Sequence, residues 1–222
     1  MDPLLERYRD LRRRLPADVA LLAVSKGRPA AMVRALYGEG QRSFGESRLQ
    51  EAVAKQAELA DLPGLDWQFI GRLQANKVRP VLRAFAAVQS VDSLALARRI
   101  SRIAAEEGLQ PWLHAQVKLR PDPAKGGFEP ETLRQHWDEL RQLPAVRWRG
   151  LMVIPPQGLD DETLGMVFRE AVSLADDLGL ESRSLGMSGD WPLAVAAGST
   201  LVRLGSTLFG PASADASRFA ER

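Results

Sequence analysis

The chain has 222 residues, 45% hydrophobic and 26% charged, the make-up of a globular protein long enough to bury a substantial core. Formal net charge is only +2, and Arg12-Arg13-Arg14 is the single dense basic run, so no nucleic-acid surface is expected. There is no cysteine and there are two histidines, His114 and His136, which excludes disulfides and thiolate chemistry and argues against a metal site.

No apolar stretch approaches ~20 residues and the N-terminal segment has no signal-peptide core, so a soluble cytoplasmic protein without a membrane partner is expected. A first helix spans about Pro3 to Arg14, and Val19–Ser25 reads as a strand ending on Lys26. A helix from Ala30 to Tyr37 stops at Gly38. Arg42–Gly45 is a short strand, followed by a helix from Arg48 to Ala60. Asp66–Ile70 is the third strand, Asn76–Arg83 a helix and Ala86–Val91 the fourth strand. Ser93 is placed to cap a helix that ends near Gly108. Pro111–Lys118 is the fifth strand, and a long loop, Arg120 to Phe128, leads to a helix from Pro130 to Gln142. Val146–Ile154 holds the sixth strand, and Asp161–Leu178 is an amphipathic helix stopping at Gly179. Ser182–Met187, Asp190–Ala197 and Thr200–Leu204 read as strand, helix and strand, and a last helix falls near Ala214–Glu221.

The strands read as mostly apolar runs, as in a parallel sheet covered on both faces. About eight strand–helix units in a chain of this length match a small (β/α)8 TIM-like barrel, in one domain over residues 1–222. A doubly wound sheet is the competing architecture, but the turn after the first strand, Lys26-Gly27-Arg28-Pro29, has no G-x-G-x-x-G.

In a barrel, functional groups sit at the C-terminal ends of strands. Those positions hold Lys26; Gly45, Glu46 and Ser47; Gly71 and Arg72; Ser90 and Asp92; Met152 to Pro155; Met187, Ser188 and Gly189; and Arg203, Gly205 and Ser206. Lys26 stands out because the chain uses 5 lysines against 25 arginines. A desolvated amine can attack an aldehyde, which a guanidinium cannot do. The plainer reading is a lysine that reaches solvent as the strand exits. Ser188-Gly189 and Gly205-Ser206-Thr207 follow strands seven and eight, where barrels commonly build a phosphate cup from N–H groups and hydroxyls. Each pair alone is an ordinary turn. Lysine and cup together fit a phosphorylated aldehyde held as a Schiff base, of which pyridoxal 5′-phosphate (PLP) is the obvious candidate. By strand parity Leu22, Val24 and Lys26 share one face, as do Leu201, Arg203 and Gly205. If both faces point inward, Lys26 and Arg203 look into the barrel mouth.

Several segments then resemble, in order, the signatures of the PLP homeostasis protein family. They are Ala23-Val24-Ser25-Lys26, Phe44-Gly45-Glu46-Ser47 with Gln50-Glu51, and Phe69-Ile70-Gly71-Arg72-Leu73-Gln74-Ala75-Asn76-Lys77. Ser90-Val91-Asp92-Ser93, Gly150-Leu151-Met152, Leu185-Gly186-Met187-Ser188-Gly189-Asp190 and Gly198 to Ser206 with Phe209-Gly210 follow. The resemblance runs from about residue 19 to residue 211. It implies a barrel like the N-terminal domain of alanine racemases (PLP fold type III), with PLP on Lys26. It also implies phosphate contacts from Ser188, Gly205 and Ser206, Arg203 near the pyridine nitrogen, and Ser47 and Met187 among the cofactor-binding residues. Ser47 and Gln68 depart from the family's usual Asn and His, and the Arg120–Phe128 loop keeps only part of the family's polar loop.

The resemblance implies a monomeric binder, buffer or deliverer of PLP to apo-enzymes, without turnover. The alternative is an amino-acid racemase or related PLP enzyme. Racemisation by such a barrel resembles a two-base mechanism with a tyrosine from a second domain. The two tyrosines here, Tyr8 and Tyr37, lie on helices rather than at strand ends. Arg203 beside the ring nitrogen would favour the unprotonated ring, a weaker electron sink. Its plainer reading is a buried ion pair with Asp92 or Glu46.

Overall fold

Helix boundaries follow from local side-chain chemistry. Asp2 accepts a hydrogen bond from the Leu4 N–H at 2.8 Å, and Pro3 occupies the first turn, so α1 (Pro3–Arg14) starts there. Ser93 Oγ accepts from the Leu96 N–H at 3.3 Å and starts α5 (Leu94–Glu107), which stops at Gly108 in the left-handed region (φ 66°). Asp160 accepts from the Thr163 N–H at 2.7 Å and starts α7 (Asp161–Asp177). The structure, a computed structural model, describes residues 2–211. The helix expected near Ala214–Glu221 lies outside them.

The eight strands are β1 (Ala20–Val24), β2 (Ser43–Glu46), β3 (Asp66–Phe69), β4 (Ala87–Val91), β5 (Trp112–Val117), β6 (Arg147–Val153), β7 (Ser182–Ser184) and β8 (Leu201–Leu204). They pair in parallel in chain order, and β8 closes on β1 to form a barrel. This is the (β/α)8 architecture, and the doubly wound alternative is excluded. The remaining helices are α2 (Ala30–Gly38), α3 (Leu49–Glu58), α4 (Val78–Ala84), α6 (Pro130–Arg141), α8 (Trp191–Ala196) and α9 (Ser206–Phe209). A 3-10 turn, Ala75–Lys77, precedes α4. The single turn α9 has no counterpart in the sequence reading, because four residues carry no periodicity.

The main core lies between sheet and helices. Leu21 and Ala23, Phe44, Trp67 and Phe69, Val88, Leu113, Ala115, Leu151, Val153, Val202 and Leu204 point into it. The alternate residues point into the barrel, and here lie the polar exceptions to the mostly apolar strands. Gln68, Gln89, His114, Ser182, Ser184 and Arg203 are all buried. Gln89 on β4 accepts a 2.6 Å hydrogen bond from Ser184 Oγ on β7, a contact between non-adjacent strands that only the barrel interior allows. His114 Nε2 lies 2.9 Å from Ser182 Oγ, and burial pushes its pKa down to about 3.

Candidate functional site

The C-terminal ends of β7, β8, β1 and β2 are contiguous around the barrel, and every cofactor-binding residue expected from the sequence lies on that arc. Parity holds where it can be read: Leu22 pairs with Arg203, Val24 with Gly45. β1 ends at Val24, however, two residues before Lys26. Ser25 is buried, and Lys26 and Gly27 form a turn in which the Arg28 N–H donates to the Ser25 carbonyl at 3.0 Å. Lys26 itself is exposed. The premise that burial would set this amine apart is therefore not met; its position at the mouth is what distinguishes it. The buried lysine is Lys55, on α3, away from the strand ends where functional groups are expected. It bonds to Glu46 Oε1 at 2.5 Å and to the Ser25 carbonyl at 2.7 Å. It also bonds to Glu51 Oε1 at 3.3 Å, a pairing that the i, i+4 spacing signals, but nothing in the sequence signals the burial of Lys55 or its bond to Glu46.

Arg203 lies within β8, one layer below the mouth. It is 4% exposed, and its pKa falls to about 10 because burial disfavours the charge, an effect opposed by Asp190. It therefore stays a cation at neutral pH. The plainer reading, an ion pair with Asp92 or Glu46, does not hold. Arg203 instead donates to the Ser184 carbonyl (2.5 Å), Ser184 Oγ (2.9 Å) and the Val153 carbonyl (2.8 Å). From there a chain of hydrogen bonds runs in one direction. Ser184 Oγ donates to Gln89, Gln89 Nε2 to Gln68 Oε1 at 2.6 Å, and Gln68 Nε2 to Asp66 Oδ2 at 2.6 Å. A cation thus begins the chain and a carboxylate ends it, an arrangement in which each dipole strengthens the next. Gln68, a departure from the family pattern, is a link in this chain.

The loops after β7 and β8 are laced together. Thr207 N–H donates to Ser188 Oγ at 3.2 Å, and Thr207 Oγ1 donates to the Ser188 carbonyl at 3.1 Å. Half-buried Met187 donates its N–H to Asp190 Oδ1 at 2.5 Å. Burial raises the Asp190 pKa, and that bond partly offsets the rise. The N–H groups of Ser188 and Gly189 find no acceptor among the described residues, and a Cβ on Gly189 would meet nothing within 4 Å. Gly205 packs against Val24, and Ser206 is exposed at the start of α9. Two adjacent loops therefore offer small residues, hydroxyls and free N–H donors, the chemistry an oxyanion needs. On the other side of the mouth, half-buried Ser47 is backed by Gly71: a Cβ there would lie 2.4 Å from the Ser47 carbonyl oxygen.

Beside the mouth, between the loops after β3 and β4, lies an open cleft of about 870 Å³ lined by Arg72, Arg98, Arg99, Arg102 and Asp92. Two of its guanidiniums are already paired, Arg98 with Glu139 at 2.6 Å and Arg102 with Glu106 at 3.1 Å.

Fold and mouth define an alanine racemase-type barrel: residues 1–213 match the family model of the alanine racemase N-terminal domain. Alanine racemase of Clostridium difficile shares this fold at 18% identity with a TM-score of 0.78, over 97% of this chain and 58% of that one. Similarity is far higher to pyridoxal phosphate homeostasis proteins. That of Pseudomonas aeruginosa is 46% identical over 198 residues (88% of this chain, 85% of the relative), and that of Synechocystis sp. 43% over 209 residues (91% and 96%). PipY of Synechococcus elongatus, solved with PLP bound, is 50% identical with a TM-score of 0.89, over 93% of this chain and 100% of that one. The chain belongs to the pyridoxal phosphate homeostasis protein family.

Proposed function

We propose that this protein binds PLP at the barrel mouth through Lys26 and acts as a carrier in vitamin B6 homeostasis, handing PLP to apo-enzymes. The observation that carries the reading is the pair of free N–H groups of Ser188 and Gly189, in a loop laced to the one holding Gly205 and Ser206. A phosphate dianion fits such a cradle. PLP supplies an aldehyde that condenses with an amine with loss of one water. Lys26 is the amine at the mouth, and Ser188, Gly205 and Ser206 take the phosphate. Ser47 and Met187 line the ring, and Arg203 faces the ring nitrogen. A guanidinium in that place disfavours protonation of the ring nitrogen and weakens the ring as an electron sink. An exposed Lys26 supports transfer, because an incoming amine or acceptor reaches the bond without the barrel opening.

Turnover as a racemase calls for a second base. Tyr37 lies near the end of α2, its hydroxyl bonded to the Pro63 carbonyl at 2.9 Å and its ring under Arg42; Tyr8 is buried on α1. Both are remote from the strand C-termini, which supports a carrier over a racemase.

Wild-type protein with PLP should show a visible absorbance band that borohydride bleaches, and peptide mass mapping should place the label on Lys26. Lys26→Ala should bind PLP reversibly and take no label. A label on another lysine, or none on wild type, refutes the assignment. Lys26-dependent Cα deuteration of amino acids in D2O would overturn the carrier reading in favour of the enzyme.

A further inference from the structure

Lys55 is 4% exposed and Glu46 0%, in the layer between β2 and α3. Burying a charge pair is costly, and such a pair adds little stability compared with apolar residues of the same volume. Burial raises the Glu46 pKa, an effect Lys55 offsets in part, and Glu46 Oε2 is buried with no donor among the described residues. What this cluster touches is specific. Lys55 Nζ donates to the Ser25 carbonyl (2.7 Å), to Glu46 Oε1 (2.5 Å) and to Glu51 Oε1 (3.3 Å). Ser25 Oγ donates to Glu46 Oε1 at 2.7 Å, and Glu51 Oε1 accepts the Gly27 N–H.

The Ser25 carbonyl belongs to the peptide unit before Lys26, and the Gly27 N–H to the one after it. Holding both units fixes φ and ψ of Lys26, and so the direction of its Cα–Cβ bond. Arg28 ties the same turn to the end of α9, donating to the Gly210 carbonyl at 2.5 Å and the Pro211 carbonyl at 3.0 Å and stacking on Phe209. An exposed lysine on a free turn would sweep a wide volume. This one is aimed from below.

We infer that Glu46, Lys55 and Glu51 are positioning residues, a buried clamp that orients the Lys26 backbone for bond formation with PLP. The inference rests on the function proposed above. Small misplacements of a reacting group can cost about 10²-fold in rate, so loss of one clamp bond is expected to slow the reaction roughly tenfold.

The test compares wild type, Lys55→Met, Glu51→Ala and Glu51→Gln. Each is mixed with PLP, quenched with borohydride at intervals, and followed by mass for label on Lys26; reversible PLP uptake and melting temperature are measured alongside. Lys55→Met and Glu51→Ala should label about tenfold more slowly while still taking up PLP reversibly through the phosphate cradle. Glu51→Gln keeps an oxygen for the Gly27 N–H and should label within about twofold of wild type, rescue that a change in charge or stability alone would not produce. If Lys55→Met fails to fold, the pair at Glu51, which is partly exposed, decides. Wild-type labelling rates in Glu51→Ala overturn the clamp. Absence of label on wild type overturns the proposed function instead, so the two failures are distinct.

Discussion

Replacing Ser184 with Ala removes one hydroxyl from the middle of the interior chain, where Ser184 and Gln89 are both 0% exposed. Two bonds are lost: the 2.6 Å bond to Gln89 Oε1, and the 2.9 Å bond from Arg203. Arg203 keeps the Ser184 and Val153 carbonyls, so its charge remains solvated. Gln89 Oε1 is left without a donor in a site closed to water. An orphaned buried acceptor costs about 1–3 kcal/mol, and the lost bond to a guanidinium adds to it, so Ser184→Ala should destabilise by about 2–3 kcal/mol. In a chain of this size that lowers Tm by roughly 4–12 °C, measurable by calorimetry or urea unfolding. A double variant gives the sharper check. With Gln89→Leu the orphan no longer exists, so Ser184→Ala on that background should cost less, with a coupling of at least ~0.5 kcal/mol. A single variant within ~0.5 kcal/mol of wild type, or a strictly additive double variant, refutes a polarised chain that supports Arg203.

Gly71→Ala forces the Ser47 backbone aside, since the new methyl would lie 2.4 Å from its carbonyl oxygen. It should lower stability by about 1–3 kcal/mol and weaken PLP binding in a fluorescence titration; unchanged affinity would remove Ser47 from the site. His114 is held neutral in the folded state to about pH 3, against an ordinary value of 6.5. The unfolded chain thus takes up this proton first. Its contribution is complete above pH 6.5 and declines as pH falls toward 3, by at most about 1.4 kcal/mol per pH unit. His114→Gln should flatten the stability–pH profile in that window, and identical slopes would refute the assignment.

The fold was legible because strand–helix alternation and cap chemistry are local. Ser93 and Gly108 mark helix ends whatever the rest of the chain does. The list of strand ends already contained Lys26, Ser188, Arg203, Gly205 and Ser206, since barrel topology places those positions together. The character of the barrel interior was less legible. Trp67-Gln68-Phe69 alternates apolar and polar residues, and Val88-Gln89-Ser90-Val91 holds two adjacent polar residues between apolar ones. In a sheet covered on both faces, a polar residue turned inward has the same local signal as an interruption in an apolar run.

By itself the sequence determined the barrel, the family, and the ordered set of mouth residues, because each depends on patterns within a few residues or on their order along the chain. Only the tertiary structure decided which lysine is buried and which is exposed. Lys26 and Lys55 are 29 positions apart, and both follow a stretch rich in apolar residues. Burial is a property of what packs above a side chain: α3 lays Lys55 beneath the turn that carries Lys26. The partners of Arg203 were decided in the same way. Its guanidinium meets Ser184 on β7 and Val153 on β6, contacts that exist only once β6, β7 and β8 lie side by side in the sheet.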